Sequence, residues 1–123
     1  LCIDMVFEPG KVRELIDLAL VDFQLIFDHF NAMLATQNNP SLSWMAVPSF
    51  ETMHIPGCDF ATLVSPNFFE AFILPALQRE VRVAEKNIFH VDGAGVARHL
   101  DAIFDLAEVS AIQWAQGAGT NPI

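Results

Sequence analysis

A chain of 123 residues that is 53% apolar has enough hydrophobic material for one domain with a real core, and is too apolar for a disordered segment. Six basic against fifteen acidic side chains leave a formal charge of −9, which phosphate backbones repel, so nucleic acid is excluded as an expected partner. Asp17, Asp22 and Asp28 break the longest apolar pattern at helical spacing, there is no basic start with an apolar leader, and two cysteines in a core-rich chain need no disulfide. The expectation is a cytoplasmic protein with no membrane-spanning segment. The chain opens on Leu1 within an apolar run, as a piece of something longer would.

In chain order, residues 9–35 read as one long helix. Pro9 suits a first helical position, and Val12, Leu15, Ile16, Ala19, Phe23, Ile26, Phe27, Phe30 and Met33 make a helical stripe. The run Gln37-Asn38-Asn39-Pro40 stops it. SLSWMAV (41–47) reads as a short strand and 48–58 as a loop. Ser65 and Pro66 are the N-cap and first position of a second helix, in which Pro75 imposes a kink or break. NIFHV (87–91) is a strand, Gly93 and Gly95 turn the chain, and 96–106 is a third helix. SAIQWA (110–115) is a further strand, and 116–123 is loop. Alternating helices and strands predict an α/β fold with a parallel sheet. A closed barrel of this kind needs about 250 residues. The expectation for 1–123 is therefore a single partial (β/α)8 TIM barrel domain, completed by the rest of the barrel or by a homo-oligomer partner.

In parallel α/β folds the chemistry sits at the carboxyl ends of strands. His90 and Asp92, two apart on a strand, share a face. The imidazole can move a proton or bind a metal, and Asp92 can orient it, ligate a metal or meet a substrate N–H. The alternative is that Asp92 caps the next turn and His90 is an interior residue. Gly93 and Gly95 would let backbone N–H groups approach a ligand. Cys58 and Asp59 follow the 48–58 loop; Cys58 is a candidate metal ligand with His90, with His54 as a third, or else a small apolar core residue. Gln113 and Trp114 end the last strand, where an indole offers a flat wall to a ring-shaped substrate or simply packs. Gly117-Ala118-Gly119 could cradle an anion, while Arg98 and His99 read as solvent or neighbour contacts. No nucleophile elbow, phosphate loop, paired-cysteine zinc motif or dinucleotide fingerprint occurs.

Four ordered stretches carry a resemblance. SPNFFEAFILPAL (65–77) resembles a segment of the uroporphyrinogen decarboxylase-like superfamily, FHVDGAGVARHLDAIFDL (89–106) is similar to its His-x-Asp/Cys-Gly strand end and following helix, and CDFATLVSP (58–66) and AIQWAQGAG (111–119) are similar to one branch of it. Together they span about half the chain. The resemblance implies a (β/α)8 barrel with its site at the strand carboxyl ends, and a carboxy-lyase acting on a carboxylate-rich tetrapyrrole or related small molecule. The superfamily also holds cobamide-dependent methyltransferases with a thiolate-activating zinc. Those have His-x-Cys-Gly where this chain has His90-Val91-Asp92-Gly93, which leaves zinc or another divalent metal open. The arginine and aspartate of the decarboxylases lie outside the matching stretches. On this reading His90 is the acid/base or metal ligand and Asp92 its partner. Asp59 is the opposite wall, Gly93, Gln113 and Trp114 complete the substrate surface, and His90 with Cys58 is the candidate metal pair. A non-catalytic ligand-binding barrel fragment and an interaction fragment are the other classes.

Overall fold

The computed structural model describes residues 1–117. Helix α1 (Cys2–Phe7) leads into α2 (Pro9–Thr36), which has proline in its first turn as expected. A hairpin of β1 (Ser41–Leu42) and β2 (Pro48–Ser49) follows, then β3 (Met53–His54). A 3-10 turn (Asp59–Leu63) precedes α3 (Pro66–Phe68), a π-helical turn (Phe69–Ile73) and α4 (Leu74–Glu80). Strand β4 (Lys86–Asp92), a 3-10 turn (Val96–His99) running into α5 (Leu100–Phe104), and β5 (Val109–Ala115) complete the described residues.

The sheet is parallel, in the order β3-β4-β5. This is an α/β fold, and the sheet is open: β3 and β5 are both edges. Its membership differs from expectation. Residues 41–47 do not join it. Ala46 N–H donates to the Ser43 carbonyl at 2.9 Å, with Ala46 at a φ of 59°, and this tight turn folds the segment into the antiparallel β1–β2 hairpin. The first parallel strand is β3, inside the stretch read as loop. At two residues it is too short to show alternation.

Strand β4 decides what faces what. Asn87, Phe89 and Val91 are buried against the helices, while Ile88, His90 and Asp92 lie on the opposite, more open face. Phe89 and Val91 share a core with Phe69, Phe72, Leu77, Val96, Ile103 and residues of α1 and α2. The helix is interrupted just before Pro75, as expected, by the π turn Phe69–Ile73. The π turn ends just before α4, where proline sits in the first turn and needs no N–H partner. Ser65 Oγ accepts from Phe68 N–H, the expected N-cap. The third helix begins as a 3-10 turn in which Val96 and His99 are both buried.

Asn87 ties the helix layer to the sheet. Its side-chain N–H2 donates to the carbonyls of Val81 at 2.8 Å and Glu108 at 3.1 Å, joining the end of α4 to the entry of β5. The outer face of α2 is a second apolar surface, with Leu18, Val21, Leu25, Ile26, Phe30 and Met33 exposed. Helix α2 is long and apolar enough to cross a bilayer, a test that core helices of soluble proteins also pass, so its charges alone do not exclude a span.

Asn87→Ala removes the tie and takes the donor from the buried Val81 carbonyl and the part-buried Glu108 carbonyl. It is expected to cost about 2–4 kcal/mol, read as a lower urea midpoint with an unchanged slope.

Candidate functional site

The carboxyl end of β4 and the turn after β3 converge. Asp59 opens the 3-10 turn that follows β3, and His90 and Asp92 are the last two residues on the open face of β4. One ligand atom from each of the three lies within 4.8 Å of the other two. Both carboxylates are exposed and His90 is half-buried. Among the described residues neither carboxylate forms an ion pair, and the 3-10 turn after Asp92 has Gly95, without side-chain help, at its start. The alternative reading of Asp92 as a cap for that turn is therefore not met.

His90 is held from both neighbouring chain segments. Its N–H donates to the Pro56 carbonyl at 2.7 Å, and Gly57 pairs with it as a parallel bridge, close enough that a side chain at 57 would sit 3.4 Å from His90 Cβ. On the other side β5 pairs Gln113 opposite His90, and Gln113 Oε1 meets His90 Nδ1. The amide nitrogen of Gln113 donates to the Trp114 carbonyl, so its oxygen is the atom turned to the ring. That acceptor places the imidazole proton on Nδ1 and leaves the lone pair on Nε2.

Three expected site residues have other places. Trp114 pairs with Val91 on the helix-facing side and packs against the core, since neighbours on a strand point to opposite faces. Gly93, at a φ of 77°, gives its N–H to the Ala115 carbonyl at 2.9 Å, so that donor serves the turn and not a ligand. Cys58 stands outside the Asp59–His90–Asp92 group and lines an apolar cavity of about 340 Å³ between α1, α2 and α4. Burial raises its thiol pKa above the ordinary 9.0. His54 is also elsewhere, bonded to Glu80 at 2.7 Å and against Phe23. His99 is buried, its Nε2 at 3.0 Å from the Ala61 carbonyl and its ring stacked on Phe69, whereas Arg98 is exposed. Of the suggested anion cradle only Gly117 is described; Ala118 and Gly119 lie outside the described residues.

The aromatic wall beside the site is Trp44. Its ring stands edge-on to His90 with centroids 5.1 Å apart, carried there by the β1–β2 hairpin. No pattern in the sequence links residue 44 to residue 90. Gly95 sets the distance between the two halves of the site. A methyl group there would stand 2.8 Å from Thr62 Cβ, on the turn that begins with Asp59.

The arrangement is an open parallel α/β sheet with an imidazole and two carboxylates at its strand ends. No protein-family model, curated protein or solved structure matches the chain.

Gly95→Ala is expected to push the Asp59 turn away and cost about 1–3 kcal/mol, visible as a lower thermal midpoint. For Cys58 the unfolded thiol loses its proton first as pH rises, so stability is full below about pH 9 and falls above it until the folded thiol also ionises. Urea midpoints between about pH 8 and about pH 10 should fall more steeply for the wild type than for Cys58→Ala.

Proposed function

We propose that this chain is part of a (β/α) barrel of the uroporphyrinogen decarboxylase-like kind, and that its open sheet face is the wall of a carboxy-lyase site for a carboxylate-rich tetrapyrrole or related small molecule. The observation that supports this most is the meeting of Asp59, His90 and Asp92 at the carboxyl end of the central strand. In a barrel, the face of β4 that carries Ile88, His90 and Asp92 would be the interior one, and the helices would form the outer ring. The exposed face of α2 and the two sheet edges are then surfaces for the rest of the barrel or a second copy.

Loss of carbon dioxide from a pyrrole-linked carboxylate begins with a proton delivered to a ring carbon. The C–C bond electrons then flow into the ring as CO2 leaves, and a second proton fills the exposed carbon while the first is returned. The ring nitrogen is positive at the critical stage. A carboxylate beside its N–H lowers the energy of that charge, and an imidazole can carry the protons. In this reading His90 is the proton carrier, oriented by Gln113, and Asp92 with Asp59 faces the ring N–H. Trp44, not Trp114, supplies the flat wall. The methyl-transfer alternative draws less support, because the only thiol near this region, Cys58, lines the apolar cavity and is kept protonated by burial.

The test is CO2 release and product mass when the intact protein meets a reduced carboxylate-bearing tetrapyrrole. Wild type should release carbon dioxide, and His90→Ala and Asp92→Asn should each lower kcat by about 10²–10⁴. No release by the wild type, or full turnover in both variants, overturns the reading, and methyl transfer instead would select the alternative.

A further inference from the structure

We propose that the outward face of α2 is a contact between two copies of this chain, in which α2 packs antiparallel against α2 of the second copy across a two-fold axis between Leu18 and Val21. The inference commits to one of the coverings left open above. It rests on the helix face alone, whatever reaction the strand ends carry out.

Spacing is the first support. Val12, Ile16, Phe23 and Phe27 are buried or half-buried and turn α2 toward the body of the protein. On the opposite side Lys11, Glu14, Leu18, Val21, Leu25 and Asp28 recur at alternating steps of three and four, and all six are exposed. That alternation is the seam along which two helices wind together. Its apolar centre is open to solvent, with Leu18 64%, Val21 53% and Leu25 65% exposed. Glu14, Asp17, Leu18 and Val21 outline a shallow groove on this face. Their offsets of three, four and seven are the corners of a hole that takes one side chain from a facing helix.

Charge is the second support, and it names the occupant. Antiparallel packing that sets Leu18 level with Val21 of the second copy brings that valine over the groove. The same register sets Leu25 against the stem of Glu14 and Lys11 against Asp28, and the two-fold axis makes each contact twice. Neither Lys11 nor Asp28 has an ion-pair partner among the described residues. The first turn of α2 has no acidic residue, so a carboxylate arriving there meets the positive helix end as well as the lysine. Parallel packing would set each charge on its own copy and repel.

Other occupants fit less well. A bilayer would have to bury Asp22 and Asp28, whereas the antiparallel pair leaves Asp22 at the rim and gives Asp28 a partner. Anionic lipid surfaces and nucleic acids repel a chain of charge −9.

Sedimentation equilibrium of the intact protein should give twice the mass of one chain. Leu18→Glu changes a side chain exposed in the single copy, so it should yield a monomer whose circular dichroism is unchanged. Lys11→Asp and Asp28→Lys should each weaken association by about tenfold, because each turns two attractions into two repulsions. An equimolar mixture of these two variants should recover the dimer, since one chain then carries acids at both ends of the face and the other carries bases at both. A wild type that is monomeric at about 100 μM overturns the proposal. So does a dimer unmoved by Leu18→Glu, or a mixture no tighter than either variant alone. A monomer that floats with neutral phosphatidylcholine vesicles also overturns it and selects a membrane as the occupant. The substituted residues lie away from the strand ends, so CO2 release is read separately: release without dimerisation removes this contact and leaves the carboxy-lyase reading, and a dimer without release does the reverse.

Discussion

The alternation of strand β4 is the constraint on which the rest of the structure depends. Phe89 and Val91 are fully buried against Phe69, Val96 and Ile103, and their burial fixes the register of the strand. Because side chains alternate across a strand, that packing also sends His90 and Asp92 to the other face. A shift by one residue would bury the imidazole and the carboxylate and expose two core side chains. The energy that holds the site is therefore hydrophobic energy spent on the far side of the sheet. At about 25 cal/mol per Å2 of apolar surface, burying a Phe and a Val contributes several kcal/mol.

Around this strand the backbone does the positioning. Pro56 and Gly57 grip His90 from the β3 side, and Gln113 grips its ring from the β5 side. The strand ends turn together at Gly93 and Gly117, both at positive φ, where a side chain on Gly117 would come within 3.0 Å of Gly93 Cα. The close approach of Gly95 to Thr62 then brings the Asp59 turn against the turn after β4. Acidic groups meet here through main-chain packing rather than through mutual attraction. The result is a local excess of negative charge on an open face, a property suited to a cation, a cationic intermediate or an N–H donor.

The helix layer shows the opposite economy. His54 and His99 were drawn into it and satisfied, one by Glu80 and the other by the Ala61 carbonyl with Phe69 stacked on its ring. Cys58 went the same way, into an apolar cavity that keeps it a thiol. His54, Cys58 and His90, alike in the sequence as metal candidates, are thus separated by what packs around each of them.

From the sequence alone came the features carried by local periodicity and by capping chemistry. The long helix from Pro9, the Ser65–Pro66 start, strands near 87–91 and 110–115, a parallel α/β arrangement, and the pairing of His90 with Asp92 on one face all follow from spacings within a few residues. What only the tertiary structure decided depends on contacts between distant segments. The two-residue strand β3 has no periodicity to read and exists through its pairing with β4. The Ser41–Val47 segment carries strand-like residues but closes on itself as a hairpin and delivers Trp44 to His90. Trp114 and Gln113, adjacent in sequence, part to opposite faces because the pairing of β5 with β4 sets which one meets the core. Spacing fixes relations along one element, but the side of a sheet that is buried is chosen by what packs against it, and that choice is made between elements.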